Sequence, residues 1–284
     1  MKKNKPILFD GPHGMPLWDK AEAKGYEKKP VWIYNIEHPD IVEELDREYV
    51  KTGAKIVLAN TFAANGPAVK ASSPYQTADI IKAGMEITKR AIAGSDAALG
   101  FAVGPVSEML EPFGDLSEEE CEEIYEEMIS AACLYQPEYI YIQTFMDMNM
   151  CEIAIRVARR YGLKILASMT FTKSGKTMFG NSAEDVIRMV SLYDVEAVGI
   201  NCELTPDFML PIVKTFYEKT NLPLVVKPNA FMTRAAGGSG EKWSVKQYTK
   251  AVEKLLPYVT YIGGCCGADP SYMEAVASLL KDSF

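Results

Sequence analysis

Short runs of apolar, often β-branched residues recur along the whole chain, and they constrain its fold more than any other feature. Each run is nearly continuous in apolar character and is followed by turn-forming residues. This pattern is typical of strands that are covered on both faces of a parallel sheet. The predicted strands span residues 6–10, 55–60, 97–103, 139–143, 164–168, 197–201, 222–227 and 259–263.

The segments between these strands have the spacing of amphipathic helices. One begins at Ser117, which is followed by acidic residues that suit a first helical turn. Others span residues 147–160, 182–193, 206–219, 244–256 and 270–281. Strand and helix alternate over 284 residues without a Gly/Ser linker, which favours an α/β fold of one domain, a (β/α)8 TIM barrel over residues 1–284. A doubly wound sheet is the alternative, although the G-x-G-x-x-G loop typical of it is absent.

Composition excludes several classes of protein. The net charge of −8 argues against a nucleic-acid-binding surface, and no apolar run reaches the length of a membrane span. The basic start is followed by an apolar stretch that stops at Asp10, which is not typical of a secretory signal. We therefore expect a cytoplasmic protein with neither nucleic-acid nor membrane partners. In such a chain the six cysteines should be free or metal-bound.

Three of the cysteines lie where predicted strands end. Cys202 ends the sixth run, and Cys265 and Cys266 follow the eighth between glycines. In a barrel these two strand ends are close, and three thiolates with one open position form the ligand set of a catalytic zinc ion. Buried free thiols or a strained vicinal disulfide are the alternatives at this point. The remaining cysteines lie within predicted helices, where small buried hydrophobic residues are expected: Cys121, Cys133 and Cys151.

The strand ends also contain short motifs in a fixed order. Two are specific when taken together: Gly199-Ile200-Asn201-Cys202, of the form G-x-N-C, and Gly263-Gly264-Cys265-Cys266-Gly267, of the form G-G-C-C-G. The shorter motifs are Asp10-Gly11-Pro12-His13-Gly14, Ala59-Asn60-Thr61-Phe62, Gly104-Pro105, Gln143-Thr144-Phe145 and Pro228-Asn229-Ala230. The series resembles the zinc-dependent homocysteine S-methyltransferases, which include betaine–homocysteine methyltransferase and the homocysteine-binding module of cobalamin-dependent methionine synthase. The resemblance covers nearly the whole chain.

The resemblance implies a barrel in which Cys202, Cys265 and Cys266 hold Zn²⁺ and the thiol of homocysteine takes the fourth position. Only a thiolate attacks a methyl group, and bound zinc deprotonates a coordinating thiol. The implied reaction gives methionine. Its methyl donor is not identified by the sequence, and the candidates are a methylcorrinoid on a separate protein, a sulfonium and a betaine. The resemblance also implies substrate-binding roles for Asp10, Gly11, Asn60, Gln143, Asn201 and Asn229. His13 lies in a first loop with larger residues than are common in the family, and it is a candidate for substrate contact or proton transfer, with an ordinary loop histidine as the alternative.

Gln143 departs from the family pattern, because it replaces a glutamate that is expected to pair with the ammonium group of the substrate. The amide keeps a hydrogen bond but loses charge assistance worth about 1 kcal/mol or somewhat more. Either Glu203 or Asp147 compensates, or the acceptor is a thiol without that amine. Two further alternatives remain: a non-catalytic subunit that binds a thiol or a corrinoid partner, and a redox role for Cys265 and Cys266.

Overall fold

Eight parallel strands form one sheet in the order β1-β8-β7-β6-β5-β4-β3-β2. The computed structural model describes residues 5–283. The strands are β1 (Ile7–Leu8), β2 (Ile56–Leu58), β3 (Ala98–Val103), β4 (Tyr139–Phe145), β5 (Lys164–Met169), β6 (Ala197–Asn201), β7 (Leu224–Lys227) and β8 (Tyr261–Ile262). Each of them lies within or overlaps one of the predicted runs, so the predicted strand count and order are confirmed.

The barrel closes between β1 and β2, where regular strand pairing is sparse. A single parallel bridge joins Phe9 to Ile56. Beside it, the N–H of Lys55 donates to the carbonyl of Leu8 at 2.7 Å, and the N–H of Asp10 donates to the carbonyl of Ile56 at 3.1 Å. Together with the β1–β8 pair, these contacts complete the TIM barrel, and the predicted fold class is confirmed.

Eleven α-helices are present in residues 5–283, three more than the eight that strict alternation predicts. The eight that follow the strands on the outside are α3 (Pro39–Thr52), α5 (Thr77–Ile92), α6 (Glu118–Cys133), α7 (Met148–Arg159), α8 (Ala183–Val190), α9 (Pro206–Lys219), α10 (Val245–Val252) and α11 (Pro270–Ser283). The additional helices lie in the first two connections and are α1 (Gly14–Ala23), α2 (Tyr34–Glu37) and α4 (Gly66–Ser72). No helix in the described part of the chain is long and apolar enough to cross a bilayer.

The start of α6 follows the local chemistry that the sequence predicts. The hydroxyl of Ser117 accepts a hydrogen bond from the N–H of Glu120 at 3.2 Å, and the Glu120 carboxylate accepts one from the N–H of Ser117 at 3.0 Å. This reciprocal pair satisfies two donors that the helix itself leaves free, and a cap of this kind stabilises a helix by about 1 kcal/mol.

The inside of the barrel is filled by inward-facing side chains of the strands. They form a buried cluster that includes Phe9, Leu58, Tyr141, Leu166, Val225 and Tyr261. A second and larger core lies between the strands and the surrounding helices. Because the interior is packed, ligands can enter only at the ends of the barrel, and the polar residues that follow the strands lie at the C-terminal end.

Gly199 in β6 allows the backbone of β7 to approach closely, and its replacement provides a test of this packing. A Cβ atom at Gly199 would lie 1.8 Å from the carbonyl oxygen of Val225. Gly199→Ala should therefore reduce the free energy of unfolding by about 3 kcal/mol, because β6 and β7 must move apart. Urea denaturation measures the change. Gly14→Ala is the control, since nothing lies within 4 Å of a Cβ atom at that position. Equal stability of the two variants would contradict the observed strand contact.

Candidate active site

Three cysteine sulfurs meet at the C-terminal end of the barrel. The Sγ atoms of Cys202, Cys265 and Cys266 all lie within 4.8 Å of one another, and they are the one group of three such ligands in residues 5–283. Cys202 Sγ and Cys266 Sγ are 3.6 Å apart. Two sulfurs bound to one tetrahedral zinc ion at roughly 2.3 Å would lie about 3.8 Å apart. The described cysteines are free thiols. The size and chemistry of the cluster therefore fit a metal ion.

The backbone at Cys202 has an uncommon conformation that directs its sulfur. Cys202 and Glu203 have left-handed φ angles of 63° and 62°. Each such residue costs on the order of 1–3 kcal/mol and persists only where neighbouring contacts fix it. Here the N–H of Cys202 donates to the carbonyl of Lys227 at 3.0 Å, and the N–H of Leu204 donates to the carbonyl of Cys202 at 2.7 Å. These bonds fix the turn that follows β6.

The paired cysteines lie in the loop that follows β8, outside the regular strand. The N–H of Cys265 donates to the carbonyl of Pro228 and the N–H of Ala230 donates to the carbonyl of Cys266, both at 2.9 Å. The loops after β7 and β8 are therefore joined. A Cβ atom at Gly264 would lie 2.7 Å from Met273 Cε and 2.8 Å from Ala268 Cβ, so the loop can pack here only with glycine. The backbone at the cysteine pair is therefore irregular, which allows both sulfurs to lie on the same side of the loop.

The three thiols differ in acidity because they hydrogen-bond to one another. Bonds from Cys202 and Cys266 hold the pKa of Cys265 well below its usual value, and the charge of Lys227 adds to this effect. The same cluster contacts, together with burial, raise the pKa of Cys202 well above its usual value. The side-chain amide of Asn201 lies 3.8 Å from Cys265 Sγ and can donate to it. The three thiols therefore influence one another's acidity through direct contact.

A buried ion pair lies beside the cluster. Lys227 Nζ donates to Asp10 Oδ1 at 2.6 Å, and Asp10 Oδ2 accepts from the N–H of Leu58 at 2.7 Å. Asp10 was expected to bind substrate, but both of its oxygens are engaged within the protein. Lys227 was not singled out from the sequence. A lysine at the end of the apolar run Leu224–Lys227 is the signal that could have identified it, because lysine is rarely fully buried without a partner.

A pocket of about 260 Å³ opens above the sulfurs. All three cysteines line it, and four of the expected substrate-binding residues do so as well: Gly11, His13, Asn60 and Gln143. The other three, Asp10, Asn201 and Asn229, are buried behind the lining. Other lining residues, which were not predicted from the sequence, include Trp18, Phe62, Thr144 and Lys227. The volume suits a small ligand.

His13 has a fixed orientation on one side of the pocket. Its Nε2 lies 2.8 Å from Asp46 Oδ1, and Asp46 Oδ2 accepts from the hydroxyl of Thr88 at 2.6 Å. Asp46 belongs to α3 and is completely buried, which raises its pKa against the lowering effect of His13. The imidazole therefore contacts the pocket on one side and a carboxylate on the other.

Comparison with known proteins identifies the family of this chain. Residues 7–280 match the family model of homocysteine S-methyltransferases. The chain belongs to this family. Betaine–homocysteine S-methyltransferase 1 of Bos taurus is 23% identical over 308 residues, which cover 99% of this chain and 73% of that protein. S-methylmethionine–homocysteine S-methyltransferase BHMT2 of Pongo abelii is also 23% identical and is covered to 80%.

The fold is also that of a solved homocysteine methyltransferase. The metallated form of MmuM from Escherichia coli superposes with a TM-score of 0.80 at 21% identity, covering 98% of this chain and 97% of that one. At this level of identity the likeness concerns the architecture, which is the TIM barrel described above.

Two asparagines of the family motifs have different surroundings in this homocysteine S-methyltransferase homologue. Asn201 is fully bonded: its Oδ1 accepts from the N–H of Thr144 at 2.8 Å and from the hydroxyl of Ser168 at 2.6 Å. It therefore ties the end of β4 to the cluster. Asn229 is completely buried, yet neither its Oδ1 nor its Nδ2 has a hydrogen-bond partner in residues 5–283. Buried amides are normally paired, and Asn229 is the exception among the described side chains.

The acids considered as replacements for the family glutamate lie elsewhere. Asp147 caps α7, where its Oδ1 accepts from the N–H of Asn149 at 2.8 Å. The Glu203 carboxylate accepts from the hydroxyl of Thr233. Neither residue lines the pocket that contains Gln143.

The buried ion pair should contribute strongly to stability as long as both partners are present. Lys227→Met leaves Asp10 charged and unpaired, and we expect it to reduce the free energy of unfolding by about 3–5 kcal/mol. The double variant Asp10→Asn with Lys227→Met should recover a large part of that loss. Lys164→Met, which removes an exposed pair with Glu138 at 2.8 Å, is the control and should cost less than about 1 kcal/mol. Urea denaturation measures both losses. If Lys227→Met reduced the free energy of unfolding no more than Lys164→Met does, the stabilising role of the buried ion pair would be refuted.

Proposed function

We propose that this chain is a zinc-dependent S-methyltransferase that methylates a thiol bound in the pocket, with homocysteine as acceptor and methionine as product. The observation that carries the proposal is the cluster of three sulfurs at the base of a pocket in a barrel of this family. The names of the relatives support the choice of acceptor, since both are homocysteine S-methyltransferases.

Cys202, Cys265 and Cys266 would hold the metal. Three sulfur ligands leave one position for a fourth, which suits a catalytic rather than a structural site. When bound, zinc lowers the pKa of a coordinating thiol and so supplies a thiolate at neutral pH.

The residues around the cluster orient the acceptor and limit its contact with water. His13, Asn60 and Gln143 supply polar groups on the sides of the pocket, while Leu58 and Ala102 contribute apolar surface near its base. The acceptor sulfur attacks the methyl carbon in line with the bond to the donor. The new S–C bond forms as the bond between the methyl carbon and the donor breaks. The electron pair of the broken bond leaves with the donor. Fixing both reactants in this geometry is the main contribution of the protein.

A turnover assay with the isolated chain tests the proposal and identifies the donor. The protein is incubated with homocysteine and one isotopically labelled donor at a time: betaine, S-methylmethionine, or a methylcorrinoid protein. Labelled methionine from any of them supports an S-methyltransferase. Turnover with a free donor excludes the non-catalytic alternative, in which the chain only binds a thiol or a corrinoid partner. Absence of labelled methionine with all three donors would contradict methylation of homocysteine.

Metal content should depend on the cluster and not on cysteines in general. We expect one zinc ion per wild-type chain, and loss of both zinc and methyl transfer in Cys202→Ala, because two sulfurs cannot complete the site. Cys133→Ala is the control, since Cys133 lies in α6, where burial raises its pKa to about 11. Elemental analysis of reduced protein measures the stoichiometry. Full zinc occupancy in Cys202→Ala would contradict the three-cysteine site. A disulfide between Cys265 and Cys266 in metal-free wild-type protein would favour the redox alternative.

A further inference from the structure

The lining of the acceptor pocket contains few groups that can take up a proton. Among the described residues its titratable side chains are the three cysteines, His13 and Lys227. The cysteines are the proposed metal ligands, and Lys227 already donates to Asp10 Oδ1 at 2.6 Å. The other lining side chains are apolar or neutral. His13 is therefore the group of the lining that can accept a proton without leaving the metal or breaking an ion pair.

The ring of His13 has one nitrogen bonded to the protein. Its Nε2 lies 2.8 Å from Oδ1 of Asp46, and Oδ2 of Asp46 accepts from the hydroxyl of Thr88 at 2.6 Å. Because an ionised carboxylate only accepts hydrogen bonds, Nε2 carries the hydrogen of this contact. His13 is also the N-cap residue of α1, but its side chain makes no capping bond there. The electron pair of the neutral ring is therefore on Nδ1.

The other groups around His13 do not compete for a proton. The ring of Tyr49 packs edge-on against the imidazole, with centroids 6.2 Å apart. Its hydroxyl donates to the carbonyl of Pro12 at 2.6 Å, and burial raises its pKa well above the usual value. Lys227 is neutralised by Asp10. With the proposed zinc ion bound, three cysteinates leave a net negative charge in the lining, which favours a cation on His13.

The carboxylate behind His13 also favours a proton on the ring. Asp46 is completely buried, and burial raises its pKa, an effect to which the charge of Asp10 adds. A buried carboxylate without a cation is unfavourable, and a positively charged imidazole beside it compensates. Since histidine changes its charge near neutral pH, the pair can take up a proton at His13 while Asp46 stays ionised.

We propose that His13, oriented by Asp46, accepts the proton of the acceptor thiol when that thiol binds above the three cysteines. This inference rests on the proposed S-methyl transfer and names the base of that reaction. The S–H bond breaks, its electron pair stays on sulfur, and the proton moves to Nδ1 of His13. The thiolate then attacks the methyl group as described above, and His13 gives the proton to water when the product leaves. Asp46 does not touch the acceptor and is a positioning residue.

A count of released protons tests this assignment independently of turnover. Homocysteine is titrated into zinc-loaded wild-type protein in two buffers of different ionisation enthalpy, and the difference in heat gives the protons released per thiol bound. Near pH 7.5 the free thiol is mostly protonated, so a site without a base should release about one proton. We expect the wild type to release less than about half a proton, because His13 retains the rest. Methionine, which has no thiol, corrects for protons exchanged by other groups of the ligand.

Replacement of the base should change both the proton count and the pH profile. His13→Gln should release about one proton per thiol bound near pH 7.5. With a donor that supports turnover, its kcat/KM should be about tenfold below wild type at that pH and nearly equal above about pH 9.5, because the free thiol is about one tenth ionised at the lower pH and almost fully ionised at the higher one.

Two further variants separate the base from its surroundings. His38→Gln removes the second histidine of the sequence, which stacks on Tyr26 with centroids 3.6 Å apart and does not line the pocket. It should match the wild type in proton count and pH profile. Asp46→Asn keeps an oxygen that can accept from His13 but removes the charge, and its proton count should lie between those of the wild type and His13→Gln. Equal counts in Asp46→Asn and wild type would contradict the role of Asp46.

The possible results distinguish this inference from the proposed function. Release of a full proton by the wild type, or equal counts in the wild type and His13→Gln, overturns the inference and leaves the methyltransferase intact. If homocysteine neither binds to the zinc-loaded chain nor is methylated, the proposed function fails and the inference fails with it. Zinc content is measured in every variant, so that loss of the metal is not mistaken for loss of the base. The wild-type count does not depend on any variant being folded.

Discussion

The ion pair between Asp10 and Lys227 is the contact on which both the barrel and its site depend. It joins Asp10, two residues after β1, to the end of β7, and through the N–H of Leu58 it also holds β2. The backbones of the same two residues accept hydrogen bonds from the cysteine loops, since the carbonyl of Lys227 bonds to Cys202 and that of Asp10 bonds to Gly264. The contacts that close the barrel therefore also fix the positions of the three cysteine sulfurs.

Hydrogen bonds between the loops compensate for backbone strain at Cys202 and Glu203. The left-handed conformation of Cys202 and Glu203 is unfavourable locally, and it persists because bonds to neighbouring loops fix the turn. The sulfur cluster thus relies on three consecutive strands of the barrel. Cys202 follows β6, and Cys265 and Cys266 follow β8. The carbonyls that accept from Cys202 and Cys265 belong to Lys227 and Pro228, at the end of β7. A rigid scaffold of this kind suits chemistry that depends on the alignment of two reactants.

Local sequence patterns predicted the strands and the fold class. They did not predict side-chain contacts between residues that are brought together only when the barrel closes. The run 197–201 coincides with β6, and Ser117 caps α6 as expected, because both depend on neighbouring residues. The meeting of Cys202 with the pair 265–266 followed from strand order and motifs. The partner of Asp10 lies 217 residues away and was not foreseen. Asp46 lies in α3, and the sequence pattern did not indicate its contact with His13.

The distance along the chain between the sulfurs has a consequence for the stability of the protein. Cys202 and Cys266 are separated by 64 residues, so an ion held by both would cross-link a long loop that contains β7 and α10. The unfolded chain has no such preformed cage, and a ligand that binds only the native form adds its binding free energy to stability. With the proposed zinc ion at this site, loss of zinc would therefore lower the stability of the folded chain as well as its activity.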